Sequence, residues 1–332
     1  MARTIGLLMV CLMLVASPAV SRAMDIERPD VREFIEDVVK RDHLDRTWVE
    51  KMVLAAESKP AIIDTMKKPA EHVLQWHEYR RIFMTPERIR QGQEFIAENR
   101  ELLKDVESRT GVNAEIIAAI VGVETSYGRK TGHYRVLDAL ATLGFDYPPR
   151  AAFFRAELEQ FLMLSKEAGI DPLKATGSYA GAMGAPQFMP RSVRAFARDG
   201  DNDGKIDLWA NWKDIAESVA HYFVAHGWVH GEPVYTEATM EDPDIEGLPG
   251  NQLSSLISLE SLATKGVDFE TTLAPEEKAV FIALRNAASP YYVIGFHNFI
   301  VITKYNKSPM YALAVSQLAD ALRETPVAEA SP

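Results

Sequence analysis

The apolar positions of this chain fall mostly at helical spacing. After Asp30, the residues Val31, Phe34, Ile35, Val38 and Val39 recur at i, i+3, i+4, i+7 and i+8, one stripe of a helix. Thr85-Pro86 is a helix start, a cap residue followed by proline at the first helical position, and the segment it opens runs toward Val106. A further helix follows Asn113, whose side chain suits a cap. Ser308-Pro309 opens the last one, with Tyr311, Val315, Leu318 and Leu322 on one face. Pro233 to about Leu284 differs. It holds short β-like runs such as Val280-Phe281-Ile282-Ala283-Leu284, separated by turns rich in Gly, Pro and Asp. From Thr325 the tail is small and polar and is expected to fray. The pattern predicts a mainly α (α+β) protein with a small β-rich part, and shows no internal repeat.

The N-terminus departs from this amphipathic pattern. Arg3 precedes the unbroken apolar run Ile5 to Ala16, and Ser21-Arg22-Ala23 follows. Twelve residues are too few for a membrane-spanning helix, which needs about 20. A basic start, a short apolar run and a small-x-small site are the features of a secretory signal peptide ending at Ala23. The chain has 332 residues and a formal charge of −11, which becomes −13 once Arg3 and Arg22 leave with the leader. Its single cysteine, Cys11, lies inside that leader. Met9 and Val10 precede it where a lipoprotein signal has small residues, so lipid anchoring is not expected. One cysteine excludes a disulfide framework and a thiolate zinc site. The acidic balance argues against nucleic acid as a partner.

One carboxylate stands on the wrong face of its helix. In Asn113-Ala-Glu-Ile-Ile-Ala-Ala-Ile-Val-Gly-Val-Glu124-Thr-Ser-Tyr-Gly128, Glu124 continues the stripe of Ile117, Ile120 and Val121, near the helix end. Burial and the negative end of the helix dipole both disfavour the ionised form and raise its pKa. That is the condition for a general acid near neutral pH. The structural alternative is a Glu that reaches solvent or pairs with a base such as Arg129. A second informative stretch is Gly177-Ser178-Tyr-Ala-Gly-Ala-Met-Gly-Ala-Pro-Gln187-Phe-Met-Pro190. Its small residues let a ligand approach the backbone, although a tight turn between helices reads equally well. It is neither a phosphate loop nor a nucleophile elbow.

These segments resemble the lytic murein transglycosylase B family (glycoside hydrolase family 103). The resemblance rests on Val-Glu124-Thr-Ser-Tyr-Gly-Arg, on Leu-Asp-Ala-Leu-Ala-Thr-Leu with Tyr147-Pro-Pro-Arg150, on the Gly177–Pro190 loop, and on Asn298-Phe-x-x-Ile302-Thr303-x-Tyr305-Asn306. Several motifs in one order, from roughly Trp76 to Tyr305, make it specific. It implies a lysozyme-like helical core at 108–232, an additional helical domain at 24–107, a small β-rich segment at 233–284 and a helical segment at 285–324 closing the cleft. Glu124 would be the single acid/base, cleaving the β-1,4 bond between N-acetylmuramic acid and N-acetylglucosamine and leaving 1,6-anhydromuramic acid ends. Tyr79, Arg150, Ser178, Gln187, Tyr222 and Asn298 would bind substrate. Tyr222 also fits a plain core position, on one stripe with Ile215, Val219 and His226. Two departures lie near Arg150: Pro149 stands where the family often has a basic residue, and Phe153 where it often has tyrosine.

Asp199-Gly-Asp201-Asn-Asp203-Gly204-Lys205-Ile-Asp207 fits the start of an EF-hand loop, with acids at positions 1, 3, 5 and 9, glycine at 6 and the Lys205 carbonyl at 7. Position 12 is Ala210 instead of the bidentate acid, so any calcium here is expected to be held weakly. Asn211 is expected to cap the next helix, with Asp214 at its third position. His221, His226 and His230 are read as structural or exposed. The expectation is therefore a periplasmic monomeric enzyme acting on peptidoglycan strands, with no required cofactor and with other cell-wall enzymes as candidate partners. The rival readings are a hydrolytic muramidase and a catalytically idle peptidoglycan-binding protein.

Overall fold

A computed structural model describes residues 22–67, 74–241, 248 and 250–323. The expected leader, up to residue 21, and the tail from Thr325 lie outside the described residues.

Six helices come first: Pro29–Asp42, Arg46–Ala55, Pro60–Lys67, Trp76–Phe83, Pro86–Glu98 and Arg100–Thr110. The stripe read in the first is buried at Val31, Phe34, Ile35 and Val38, while Val39 is half-buried at its edge. Thr85 caps the Pro86 helix as expected, its hydroxyl accepting the Arg88 N–H at 3.2 Å. The helices Ala114–Thr125, Val136–Asp146, Ala151–Glu167, Pro190–Phe196 and Trp212–Ala225 follow, and His297–Tyr305 and Pro309–Arg323 end the described chain. One continuous apolar core runs from Met24 to Leu322. Fully buried Phe154, Phe161, Phe223 and Phe299 anchor it, each contributing about 1.5–3 kcal/mol by leaving water.

The β-rich part is a five-stranded antiparallel sheet in the order Leu256–Ser258, Lys278–Leu284, Tyr291–Gly295, Tyr235–Met240, Val267–Phe269. Burial on both faces accounts for the apolar run Val280 to Leu284 except at Ala283, which is exposed. Val280, Ile282 and Leu284 face the main core, whereas Ala279 and Phe281 join Leu259, Leu262 and Ile294 in a second, smaller one. The central strand Tyr291–Gly295 lies beyond the boundary expected at 284, so the sheet extends into the segment read as helical. Its alternation was hidden because Tyr291, Tyr292, Val293 and Ile294 are apolar on both sides of the pleat.

Candidate active site

The Ala114–Thr125 helix is buried at ten of its residues, wedged among the Pro86–Glu98, Trp212–Ala225 and Pro309–Arg323 helices. Asn113 does not cap it. The Asn113 side chain donates to Glu107 Oε1 at 3.2 Å, and Glu107 Oε2 accepts the first helical N–H, from Ala114, at 3.3 Å. The helix ends abruptly. Ser126, Tyr127 and Gly128 all have positive φ, at 51°, 60° and 78°. Non-glycine residues rarely adopt this conformation, which costs about 1–3 kcal/mol each and recurs at functional sites. The Tyr127 side chain lies so close over Gly92 and Gly122 that a Cβ on either would meet its ring carbon Cζ at 2.8 Å. Its hydroxyl donates to the Arg88 carbonyl at 3.1 Å. The Thr125 hydroxyl donates to Ala185 O at 2.9 Å and accepts the Gly128 N–H at 3.0 Å. The end of the Glu124 helix is thereby tied to the Gly177–Pro190 loop.

Glu124 sits in the last turn of this helix. Part of its surface stays accessible, although protein surrounds it closely. Burial pushes its carboxyl up to about 7, against the smaller opposing effect of a hydrogen bond from Tyr311. That bond runs from the Tyr311 hydroxyl to Glu124 Oε1 at 2.5 Å. Tyr305 stacks parallel to Tyr311 with ring centroids 6.4 Å apart, and donates its own hydroxyl to Pro186 O at 2.5 Å. Burial, and then the charge of Glu124, hold both phenols well above their ordinary range. Burial and then the charge of Glu124 raise Tyr79 in the same direction. Among the described residues no second carboxylate perturbs Glu124, and Arg129 forms no ion pair with it. Tyr311 and Tyr305 were not singled out as site residues from the sequence. The available signal was a hydroxyl on an apolar helix stripe, because a buried phenol needs a polar partner.

The remaining predicted residues divide. Ser178 and Gln187 are half-buried on the loop tied to Thr125. The Ser178 oxygen accepts the N–H groups of Ala180 and Ala182 at 3.3 and 3.0 Å, leaving its own proton to donate. Gln187 has φ 52°, and its amide nitrogen donates to the Thr131 and Gly184 carbonyls at 3.1 and 2.9 Å, leaving the amide oxygen to accept. Arg150 is exposed, its guanidinium over the Phe153 ring at 4.5 Å. Tyr222 takes the core role: it is 7% exposed, stacks on His226 and donates to Lys304 O at 2.6 Å. Asn298 is a correction. It is fully buried, and its amide bonds Val229 N, Val229 O and Glu232 O at 3.0, 2.8 and 3.2 Å, so no part of it reaches a sugar.

In the acidic loop, oxygens of Asp199, Asp201 and Asp203 lie within 4.8 Å of one another, close enough to share a divalent ion. Asp207 is outside that group. Its carboxylate accepts the Trp209 and Ala210 N–H groups at 2.8 and 3.0 Å. The ends of the loop are pinned by buried Asp214, which accepts the N–H groups of Gly200 at 2.8 Å and Asp207 at 2.7 Å instead of completing a capping box. Asn211 does cap its helix, through Lys213 N at 3.0 Å, and its amide nitrogen donates to Asp201 Oδ2 at 2.9 Å. The three histidines are structural or peripheral: His226 and His230 contact the carbonyls of Tyr222 and Gly111, and His221 contacts Arg198.

A carboxyl that keeps its proton near neutral pH, beside a loop of small residues, suits acid–base cleavage of a glycan bond. Residues 27–320 match the family described as the transglycosylase SLT domain. The membrane-bound lytic murein transglycosylase B of Escherichia coli (strain K12) is 38% identical over 303 residues, 89% of this chain and 82% of that protein. The soluble lytic transglycosylase SltB1 from Pseudomonas aeruginosa superimposes with a TM-score of 0.85 at 45% identity, covering 89% of this chain and 98% of that one. The Escherichia coli lytic transglycosylase Slt35 in complex with calcium does so at 0.82 and 37% identity, over 91% and 95% of the two chains. The chain belongs to the lytic murein transglycosylase B-like family of peptidoglycan-cleaving enzymes.

Proposed function

We propose that Glu124 alone performs both proton transfers of a lytic transglycosylase acting between N-acetylmuramic acid and N-acetylglucosamine. Protonated, it gives its proton to the glycosidic oxygen as the bond from C1 breaks. Ionised, it takes the proton of the muramoyl C6 hydroxyl while that oxygen bonds to C1. The 1,6-anhydro end forms, the next sugar leaves with its restored hydroxyl, and no water is consumed. The observation that carries this reading is a carboxyl enclosed by protein, bonded by Tyr311 and pushed up to about 7, on which no second carboxylate acts among the described residues. Hydrolytic glycosidases generally pair two carboxylates, the second serving as nucleophile or as base for water. An intramolecular hydroxyl removes that need, and its proximity lowers the entropic cost.

Tyr79, Ser178 and Gln187 supply a phenol, a free hydroxyl proton and a free amide oxygen for the sugars, and Arg150 a cation for a lactyl or peptide carboxylate. Calcium, as in the Slt35 complex, would be held by Asp199, Asp201 and Asp203, bracing the loop that leads into the Trp212–Ala225 helix. The leader-like segment and the likeness to a soluble relative support action in the periplasm. Among the described residues no helix is long and apolar enough to cross a membrane. The test is mass spectrometry of fragments released from purified cell wall. Anhydro ends from the wild type and none from Glu124→Gln are expected, whereas reducing muramic acid ends would make the enzyme a muramidase.

A further inference from the structure

A cavity of about 720 Å³ opens where the Ala151–Glu167 helix ends. Its walls are that helix end, parts of the segment from Ile170 to Thr176, and the second half of the acidic loop, from Gly204 to Trp209. The volume suits a small organic ligand, for which sites of about 300–1,000 Å³ are usual. None of the residues proposed to act on the sugars or to bind them lines it.

The lining describes the ligand. Lys166 and Lys205 form no ion pair among the described residues, and the Lys166 ammonium is held over the Trp48 ring, 4.0 Å from its centre. The acids beside them are engaged elsewhere. Arg194 grips both oxygens of Glu167 at 2.8 and 2.7 Å, Asp207 accepts two backbone N–H groups, and Asp171 pairs with Lys174. Two ammonium groups without a carboxylate, on a chain of net charge −11, mark a place for an anion. Trp209 supplies a flat face, fixed by the bond from its indole N–H to the Thr176 carbonyl at 2.9 Å, and Ile170 and Ile206 line the cavity with it. The Thr176 hydroxyl has no partner among the described residues. Past Ala168 no described backbone N–H returns to the helix, so its last carbonyls are free to accept. An anion, a ring with an apolar face and several hydroxyls together describe a sugar acid or a sugar phosphate.

We infer that this cavity binds an anionic pyranose, one bearing a carboxylate or a phosphate, as a second attachment point for the polymer. The ammonium groups take the charge, the indole takes one face of the ring, and the helix-end carbonyls and Thr176 take its hydroxyls. Muramic acid stripped of its peptide carries such a carboxylate on its lactyl group, and a phosphate-bearing sugar offers the same chemistry. Thr176 stands two residues before Ser178, so a filled cavity braces the strand Thr176–Gly177 that leads into the small-residue loop. A polymer held here as well as at Glu124 is retained after a cut, because its return to Glu124 is then intramolecular. The second attachment rests on the activity proposed above, whereas the binding of the sugar does not.

Calorimetry on the full chain carrying Glu124→Gln tests this, in chelator so that no calcium bridges the probe to Asp203. The probes are N-acetylmuramic acid, N-acetylglucosamine 6-phosphate, neutral N-acetylglucosamine and inorganic phosphate. Saturable binding of an anionic sugar is expected, roughly tenfold or more tighter than that of the neutral sugar or of phosphate alone. The tighter of the two anionic sugars identifies the source of the charge. Lys166→Glu with Lys205→Glu should weaken it by about the same factor, and Arg150→Glu should leave it unchanged. Both lysines are exposed, so the doubly substituted chain should keep its melting temperature. With Glu124 restored, that chain should cut a short soluble glycan at the normal rate and co-sediment less with intact cell wall. The inference is overturned if neither anionic sugar binds, if phosphate alone binds as tightly (an adventitious ion only), or if affinity is lost with Arg150 and not with the lysines. Failure of the wild type to release anhydro ends strikes the proposed activity instead, and leaves the calorimetric result standing.

Discussion

On the proposed mechanism, Glu124 is where the chemistry and the stability of this protein are set against each other. A carboxyl at about 7 carries roughly 3 kcal/mol of penalty on its charged form relative to an ordinary glutamate. The penalty is absent below the unfolded pKa, where both states are protonated, and grows as pH rises through about 7. Glu124→Gln is therefore expected to melt higher than the wild type at pH 8, with the gap closing toward pH 4. Its cleavage rate should fall about 10³-fold or more, the scale of a lost acid–base group, while glycan binding survives. Equal melting temperatures at both pH values would contradict the burial argument. Tyr311→Phe removes the one bond that lowers the Glu124 pKa. The alkaline limb of the kcat/KM profile, where the acid loses its proton, should then move to higher pH. A limb that stays put or moves down would show that Tyr311 does not tune Glu124. Glu124 itself was legible in the sequence, because one charged position interrupts an otherwise apolar stripe. Tyr311 was not, because a tyrosine in such a stripe reads as one more apolar residue, and its partner is 187 positions away.

At the scale of elements, the end of the Glu124 helix is held by Thr125, which joins it to the small-residue loop. Thr125→Val keeps the shape and strands Ala185 O and Gly128 N. Chemical denaturation should show a loss of about 1–3 kcal/mol, accompanied by a fall in kcat, since the loop no longer has a fixed distance from the carboxylate. Unchanged kcat would confine Thr125 to folding. Asn298→Ala should cost a similar amount, because it empties a fully buried site and removes the partner of three backbone groups at Val229 and Glu232. Helix starts that depend on adjacent residues were readable, as at Thr85-Pro86. Those that depend on distant ones were not. Asn113 looks like a cap but is outcompeted by Glu107, and Asp214 leaves its own helix to pin Gly200 and Asp207. Asn298 belongs to a recognisable motif, yet only the packing shows that its amide bonds the backbone at Val229 and Glu232.

For the whole molecule, an acidic chain on an acidic polymer depends on local cations, and exposed Arg150 is the one proposed among the residues that bind the sugars. Calcium held by Asp199, Asp201 and Asp203, as proposed, would act on the other side of this balance by neutralising an acidic cluster. Calcium at ten times its Kd should add about 1.4 kcal/mol of stability, seen as a raised melting temperature that Asp201→Asn with Asp203→Asn abolishes. Chelator should leave cell-wall cleavage intact in the folded enzyme. Cleavage lost in chelator without unfolding would give the ion a catalytic part. The bond between Tyr311 and Glu124 has one more consequence, in time rather than in space. A ribosome delivers Glu124 long before it delivers the helix from Pro309 to Arg323. A nascent or truncated chain therefore has its acid without its partner until the Pro309–Arg323 helix has been made and has docked.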